Sequence, residues 1–338
     1  MNIQMGLAGV APHRAIVPSL VPSYPGQKLG PYFDILRASR DDWPVIIEPF
    51  AGSGYTSLNL CAQQTFLGET QDFYWLWKTW ASDWSAVESE IRVWQGRFLP
   101  LVQAFQREGL TPRQKSEIVR DSEVWQSLRA AYLPHRDGSR GVPSVAAAWV
   151  LRRVGWMSIG RTSRDGSWNV PADTEKLAKF SQRPLPRFPT PRGSWSIGNG
   201  WEECLDLYEA HGDKSLEAVA LVDPPYFFPA DQMPSGNRQT SVYPGHDPHD
   251  WKWAEVFDDC LGRLASMPSV TRIVAWNYRS EATDGSARGA AIAHNREMTT
   301  LDLGTLRQMS LRRSSGPPSP AREGGWILGP MGGGKHGF

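Results

Sequence analysis

Short apolar runs that stop at an acidic residue recur along the chain. The stretches "VIIE" (residues 45–48), "TFLGE" (residues 65–69) and "VALVD" (residues 219–223) each lead from mainly apolar side chains to a carboxylate. Apolar runs of this length, bounded by turn-forming residues, are typical of β-strands that are buried on both faces. The pattern therefore predicts strands that each carry an acidic residue at the carboxyl end.

Helical spacing of apolar residues follows these runs. It is found after the first strand, across residues 72–131, and in "WEECLDLYEAH" (residues 201–211), which precedes the third acidic strand. A further strand is predicted in "VTRIVAWNYRS" (residues 270–280). The stretches "REMTTLDLGTLRQMSLRR" (residues 296–313) and "GGWILGP" (residues 324–330) indicate strands in antiparallel hairpins. Strands and helices thus alternate at both ends of the chain.

The middle of the chain interrupts this alternation. The helical pattern dominates up to about residue 131, and "RPLPRFPTPRGS" (residues 183–194) is rich enough in proline to be a linker or an extended loop. We therefore predict an α/β fold, with a doubly wound, Rossmann-like sheet into which a mainly helical domain is inserted.

Charge is distributed unevenly, although the net charge of the 338 residues is only +1. Residues 97–192 contain 17 Lys and Arg against 8 Asp and Glu, and the rest of the chain contains 19 against 27. A positive surface on an otherwise acidic protein suits a partner with a phosphate backbone. The alternative interpretation of this basic segment is a solvated charged face.

Two further features bear on the cellular compartment. No apolar run approaches the ~20 residues that span a bilayer, and the N-terminus lacks the basic-then-apolar pattern of a signal peptide. We therefore expect a cytoplasmic protein. Cys61, Cys204 and Cys260 are an odd number at unrelated spacings, so we expect reduced, buried thiols and neither a disulfide nor a metal site.

The residues after the third acidic run predict a functional site. Asp223 is followed by Pro224 and Pro225, which cannot donate to a strand ladder and which force a rigid extended turn. Asp223 is thereby left at the carboxyl end of a strand, where ligands bind in open α/β sheets. The tetrapeptide Asp223-Pro224-Pro225-Tyr226 is consequently a candidate site on its own chemistry.

A glycine-containing loop follows the first acidic strand. In "EPFAGSG" (residues 48–54), Gly52 and Gly54 let backbone amides approach a nucleotide-like ligand closely, although a plain tight turn has a similar pattern. Glu69, at the end of the next strand, can accept hydrogen bonds from both hydroxyls of a ribose, the alternative being an exposed carboxylate. Together the loop and the acid favour a nucleotide site.

Four motifs in one order make the chain similar to a known family. "YPGQK" (residues 24–28) resembles an N-terminal aromatic-x-Gly-x-Lys element, "EPFAGSG" a methionine-binding loop, and "DPPY" (residues 223–226) a catalytic motif. Between them, "LRRVGWMSIGRTSRDGSWNVP" (residues 151–171) is similar to a target-reading hairpin. In these motifs the chain resembles the Dam-type (alpha group) adenine-N(6) DNA methyltransferases, which depend on S-adenosylmethionine, over most of residues 24–278.

The resemblance implies that Asp223, Pro224, Pro225 and Tyr226 are catalytic. The carboxylate of Asp223 and the carbonyl of Pro224 would accept the two protons of an exocyclic adenine amine, so that the nitrogen lone pair points at the sulfonium methyl. Pro225 would fix the direction of that carbonyl. Tyr226 would stack on the base after it has been flipped out of the duplex.

The resemblance also implies a binding site for S-adenosyl-L-methionine. Glu69 would hold the ribose with a longer reach than the aspartate that is usual in the family, and Tyr24 would provide a stacking face where tryptophan is common. The implied cofactor-binding residues are Tyr24, Lys28, Glu48, Pro49, Phe50, Gly52, Gly54, Glu69 and Asp223.

A third implied site contacts DNA. Arg161 stands where the family has a guanine-reading arginine, and Trp156 could either wedge into the duplex beside the vacated base or pack in the core. The other arginines of this stretch would contact phosphates. Met157 and Ser158 replace the Asn and Gly of the family pattern, which leaves the target open between GATC and another sequence. The implied DNA-binding residues are Arg152, Arg153, Trp156, Arg161, Arg164 and Asn169.

The resemblance divides the chain into an N-terminal arm (residues 1–23), a catalytic domain (residues 24–90 and 195–338) and an inserted target-recognition domain (residues 91–194). It implies a site-specific enzyme that methylates adenine in double-stranded DNA, without a metal and as a monomer or weak dimer, in the cytoplasm of a bacterial cell or a phage-infected host. The alternatives are a catalytically inactive DNA-binding protein of this fold, and a methyltransferase that acts on RNA or on cytosine-N(4).

Overall fold

The computed structural model describes residues 43–60, 62–107, 109–134, 139–156, 162–163, 166–225, 252–278, 280–302 and 323–331. Within these residues the chain has an α/β fold built on one mixed, seven-stranded sheet. The strands and helices named below all belong to this part of the chain.

The sheet consists of strands β1 to β7. Their bounds are Val45–Glu48 (β1), Gln64–Glu69 (β2), Ser194–Asn199 (β3), Ala218–Val222 (β4), Val270–Tyr278 (β5), Arg296–Asp302 (β6) and Glu323–Pro330 (β7). Their order across the sheet is β3-β2-β1-β4-β5-β7-β6. Strands β1 to β5 are parallel, and β7 lies antiparallel between β5 and β6, as the predicted antiparallel pair requires.

The same residues form ten helices. Their bounds are Tyr55–Leu60 (α1), Gln71–Ser82 (α2), Ser85–Arg107 (α3), Pro112–Asp121 (α4), Glu123–Ala131 (α5), Val142–Val154 (α6), Thr174–Gln182 (α7), Trp201–His211 (α8), Lys252–Ser266 (α9) and Glu281–Ala293 (α10). Helices α2 to α7 all lie between β2 and β3 in the chain, and α2 to α5 confirm the predicted helical stretch.

The chain reverses its direction across the sheet between β1 and β4. From β1 it moves outward through β2 to β3, and it then returns to β4 on the other side of β1. Ile46 of β1 is therefore paired with Thr65 of β2 on one side and with Val219 of β4 on the other. This is the switch point of a doubly wound sheet, where connections leave neighbouring strands in opposite directions and open a crevice at the carboxyl ends.

Strand β1 is buried on both faces of the sheet. Val45 and Ile47 pack with side chains of α8, α9 and α10, whereas Ile46 packs with Leu60 of α1 on the opposite face. A strand that is covered on both faces needs apolar residues at every position. This explains why β1 and β4 were recognisable as continuous apolar runs.

The helices between β2 and β3 extend the core of the sheet. Leu67 of β2 and Trp77 of α2 belong to one cluster of buried side chains, against which Trp195 of β3 packs. The predicted domain boundary between residues 90 and 91 falls inside α3, which spans Ser85–Arg107. The helical segment and the sheet are therefore joined by a common core.

Strand β3 was not predicted from the sequence. It follows the proline-rich stretch of residues 183–194 directly and forms one edge of the sheet. It pairs in register with β2, from Ser194 opposite Gln64 to Asn199 opposite Glu69. Because an edge strand is paired on one side only, it can be short and half exposed, and its sequence then resembles a loop. Helices α6, α7, α9 and α10 were likewise not predicted.

Cys204 and Cys260 are buried free thiols, as predicted, whereas Cys61 lies outside the described residues. In the described part of the chain, no helix combines the length and the apolar character that a membrane crossing needs.

Candidate functional site

Three acidic residues lie at the carboxyl edge of adjacent parallel strands. Glu69 ends β2, Glu48 ends β1, and Asp223 directly follows β4. The negative charges of both Asp223 and Glu69 act on Glu48. The fold therefore brings together, at the switch point, three acids that are distant in the sequence.

Glu48 is buried, and its carboxylate accepts a hydrogen bond from the Ser57 hydroxyl of α1. The pKa of Glu48 is raised to about 8, chiefly because burial removes the charged form from water. The hydrogen bond from Ser57 lowers this pKa, and the charges of Asp223 and Glu69 raise it. A perturbed acid in a crevice is typical of a functional site. Ser57 was not predicted as a site residue.

Glu69 is half-buried and accepts two backbone hydrogen bonds. Its Oε1 accepts from the Gly52 N–H, and its Oε2 accepts from the Thr70 N–H at 3.1 Å. Burial raises the pKa of Glu69 to about 7, while these two hydrogen bonds and the charge of Arg152 lower it. A carboxylate offers about four acceptor positions, so Glu69 keeps the capacity to accept from the hydroxyls of a sugar.

The loop between β1 and α1 is a tight turn that depends on glycine. Gly52 and Gly54 have φ angles of 51° and 54°. The Gly54 N–H donates to the Ala51 carbonyl at 2.7 Å, and the Ala51 N–H donates to the Gly68 carbonyl of β2 at 3.0 Å. A Cβ atom at Gly54 would lie 2.2 Å from Cζ2 of Trp77, so no other residue fits without displacing the indole.

Trp77 of α2 also contacts this loop, although it was not predicted as a site residue. Its Nε1–H donates to the Gly52 carbonyl at 3.0 Å, and its side chain is fully buried. Both polar groups of the Gly52 backbone are therefore bonded, the N–H to Glu69 and the carbonyl to Trp77. Trp77 stands among several tryptophans of one helical stretch, and nothing in their spacing distinguishes it from a core residue.

The segment Asp223-Pro224-Pro225 directly follows the last paired residue of β4. Pairing between β4 and β5 stops at Val222 opposite Ala275, immediately before Asp223. Asp223 and Pro225 are half-buried, and Pro224 is buried. The position predicted for Asp223 at a strand's carboxyl end is confirmed.

The remaining predicted cofactor residues lie around the same loop or outside the described residues. Pro49 is buried, and the half-buried Phe50 packs against the core that contains β1 and α8. Within the described ranges, no group of three metal-binding side chains is arranged to hold an ion. The predicted site residues that lie outside the described residues are Tyr24, Lys28, Arg161, Arg164 and Tyr226.

Arg152 has a structural contact in place of the predicted phosphate contact. It is 5% exposed, donates to Oδ2 of Asp72 at 3.0 Å, and lies 4.2 Å from the ring centroid of Phe73. Asp72 also pairs with Arg140 at 2.7 Å and accepts from the Tyr132 hydroxyl at 2.9 Å. An arginine that is buried in such a network cannot reach a phosphate, so Arg152 is removed from the DNA contacts.

The chain after α6 folds back on itself as a hairpin. Antiparallel bridges join Gly155 to Ala172 and Thr162 to Trp168. Trp168 is buried, and its carbonyl accepts from Arg129 of α5 at 2.8 Å, which anchors the returning strand on the helices. These two bridges fit part of the hairpin expected at residues 151–171, whereas residues 151–154 belong to α6 and residues 157–161, 164 and 165 lie outside the described residues.

Exposed aromatic and cationic side chains lie where this hairpin leaves α6. Trp156 is 53% exposed, so it does not pack in the core, and Arg153 is exposed on the last turn of α6. Lys176 of α7 is close enough to Arg153 for their charges to interact, and its Nζ donates to the Gly155 carbonyl at 3.3 Å. Asn169 in the returning strand is half-buried. Lys176 was not predicted as a site residue.

The switch point of the sheet combines acids, a glycine loop and a rigid turn. Its carboxylates can accept hydrogen bonds from hydroxyls or from an amine, and their charge favours a cationic ligand. No protein-family model matches the chain, and no curated protein matches it either.

Proposed function

We propose that this protein is a site-specific DNA methyltransferase that transfers the methyl group of S-adenosyl-L-methionine to the exocyclic amine of an adenine flipped out of the duplex. The observation that carries the proposal is the position of Asp223. It follows β4 at the switch point, and its charge acts on Glu48, the neighbouring acid of β1. Asp223, which the proposal makes catalytic, thus directly follows a strand that lies beside the strand ending at Glu48, one of the residues proposed to bind the cofactor.

The residues at the switch point have the chemical groups that would bind S-adenosylmethionine. The ribose hydroxyls are donors, for which Glu69 has acceptor capacity. The sulfonium is a cation, which the negative charge of Asp223 and of the ionised form of Glu69 favours, whereas Glu48, with its raised pKa, would act mainly as a hydrogen-bonding group. The turn at Gly52 and Gly54 presents backbone without Cβ atoms, so a ligand can lie directly against it. When bound, the cofactor supplies an electrophilic methyl group.

Asp223 and Pro224 act on the amine of the base. The carboxylate accepts one N–H hydrogen bond and the Pro224 carbonyl accepts the other, which draws the nitrogen lone pair out of conjugation with the ring. Pro225 restricts the backbone after that carbonyl, because the pyrrolidine ring fixes its φ. Tyr226 provides the face on which the extracted base stacks.

In this proposal the inserted target-recognition part, predicted as residues 91–194, comprises the part of α3 after residue 90, α4 to α7 and the hairpin. Support comes from the excess of basic residues in this segment and from the exposed side chains at the hairpin base. Arg153 and Lys176 would contact phosphates and position the duplex, and Trp156 would wedge beside the vacated base. Arg161 keeps its predicted role as the reader of a guanine.

Transfer of tritium from labelled S-adenosylmethionine to duplex DNA tests the proposal. After digestion to nucleosides, we expect label in N(6)-methyladenine with the unmodified protein and no label with Asp223→Ala. Asp206→Ala is the matched control, since it removes an acid that is exposed on α8 and paired with Arg263. Label in cytosine or only in RNA would assign a different substrate. Tight DNA binding without any label would overturn the proposal in favour of an inactive DNA-binding protein.

A further inference from the structure

We propose that Trp77 is a positioning residue of the cofactor site, because its indole holds the Gly52 backbone in the conformation that presents the β1–α1 loop and Glu69 to the ligand. The inference rests on the proposed function and deepens it. It names a residue that lies outside all of the motifs that suggested that function.

The indole contacts the loop in two ways. Its Nε1–H donates to the Gly52 carbonyl at 3.0 Å, and its six-membered ring occupies the space beside Gly54. A Cβ atom at Gly54 would lie 2.2 Å from Cζ2 and 2.5 Å from Cη2. The hydrogen bond fixes the carbonyl of Gly52, and the ring prevents the turn from relaxing toward α2. The Gly52 N–H thereby keeps its hydrogen bond to the carboxylate of Glu69.

Trp77 is itself fixed by aromatic packing. Its ring packs edge-to-face with Trp80, with centroids 5.4 Å apart, and lies parallel to Trp195 of β3 at 6.1 Å. Trp80 also packs edge-to-face against Trp195 at 4.8 Å. These contacts join α2 to the edge strand, so the indole cannot rotate away from the loop without disrupting the cluster.

Trp77 therefore acts on the ligand through Gly52 and Glu69. Without the indole N–H, the Gly52 carbonyl loses its hydrogen bond, and the loop can depart from the conformation that binds the ligand. A neutral hydrogen bond of this kind corresponds to about three- to tenfold in affinity. The effect is expected on cofactor binding, and not on DNA binding.

The substitution Trp77→Phe tests this role, with Trp80→Phe as a matched control. Trp80 donates its own Nε1–H to the Pro189 carbonyl at 2.7 Å. Both variants therefore remove one indole donor from the same cluster, but only the first removes a contact to the loop. In calorimetric titrations with S-adenosylmethionine, we expect Trp77→Phe to bind about three- to tenfold more weakly. Trp80→Phe keeps an aromatic ring against Trp77, so it should bind like the unmodified protein. The KM for the cofactor should rise in Trp77→Phe, with the KM for DNA unchanged.

The outcomes separate this inference from the proposed function. Binding by the unmodified protein together with equal affinities in both variants would overturn the role of Trp77 and leave the proposed function intact. Absence of binding by the unmodified protein would overturn the proposed function and, with it, the role of Trp77.

Hydrogen exchange provides a test that does not depend on the folding of a variant. In the unmodified protein, we expect the amides of residues 51–54 to exchange more slowly than those of the largely exposed loop at residues 184–192, and addition of S-adenosylmethionine to slow them further. Exchange as fast as in the exposed loop would overturn the inference.

Discussion

Two buried acids of this molecule, Asp72 and Glu48, have opposite electrostatic surroundings. Asp72, in the first turn of α2, is paired with Arg140 and Arg152 and accepts a hydrogen bond from Tyr132. Glu48, at the carboxyl edge of the sheet, accepts a hydroxyl hydrogen bond, and two other acids act on its charge. A buried acid that is paired with arginines has a structural role, because loss of one partner leaves a buried charge alone, whereas a buried acid whose pKa is raised near other acids is typical of a functional site.

The contrast is sharpest within one short stretch of sequence. Glu69 and Asp72 are separated by only Thr70 and Gln71. Glu69 ends β2, and its carboxylate accepts a hydrogen bond from Gly52 of the glycine loop. Asp72 lies in the first turn of α2, and its carboxylate pairs with arginines of the helical segment. The difference therefore comes from the elements that surround each acid and not from the acids themselves.

Removal of Asp72 should have the largest effect on stability. Asp72→Ala leaves two arginines buried without their carboxylate, and we expect a loss of about 3–5 kcal/mol in the free energy of unfolding, measured in urea. Arg263→Ala is the control, because Arg263 pairs with Asp206 and Glu209 at the surface and should cost less than about 1 kcal/mol. A similar loss in both variants would contradict the structural role of the Asp72 network.

Loss of the Asp223 charge should lower activity without lowering stability. Asp223→Asn keeps the size of the side chain but removes the charge that faces the amine, so we expect methyl transfer to fall about 100- to 1000-fold. Because the native site places this charge near Glu48, stability should be unchanged or increased. Steady-state rates with labelled cofactor and urea unfolding of the same preparation check both parts. A variant that is destabilised but still active would be the contradictory result.

The close approach at Gly54 predicts a coupled pair of substitutions. Gly54→Ala forces a Cβ into the indole of Trp77, which should cost about 1–3 kcal/mol of stability. In a Trp77→Phe background the smaller ring lacks the atoms that collide, so the same substitution should cost about 1 kcal/mol less. Urea unfolding of the two single variants and the double variant measures this coupling. Strictly additive losses would show that the ring and the loop are not in contact.

The raised pKa of Glu48 predicts a pH-dependent change in stability. Between its ordinary value of 4.5 and its folded value of about 8, the folded protein holds a proton that the unfolded chain has released. The contribution of Glu48 to stability therefore falls as the pH rises through this window. Glu48→Gln should raise the melting temperature more at pH 8.5 than at pH 5. An equal change at both values would remove the basis for the shifted pKa.

Much of the sheet could be predicted because burial on both faces leaves a local signature. β1 and β4 are continuous apolar runs, and the prolines after Asp223 mark the end of the ladder. The glycines and acids at the ends of these strands then predict the position of the site from the sequence alone. Edge strand β3 carries no such signature, because it is paired on one side and follows a proline-rich stretch.

The contacts that hold the site could not be predicted, because they depend on distant partners. Arg152 and Arg153 are adjacent in sequence, but one is buried and the other is exposed. The partner of Arg152 is Asp72, which lies in another helix and 80 positions away in the sequence. In the same way, only the fold reveals that Trp77, and not one of its neighbouring tryptophans, bonds to the glycine loop.

The central claim is that the acids at the switch point, Glu48, Glu69 and Asp223, mark the cofactor site. Calorimetric titration with S-adenosylmethionine tests it most directly, with Glu69→Ala and Arg153→Ala as the compared variants. We predict one site per chain in the unmodified protein, at least about tenfold weaker binding in Glu69→Ala, and unchanged binding in Arg153→Ala. Undiminished affinity in Glu69→Ala, or no binding by the unmodified protein, would contradict the claim.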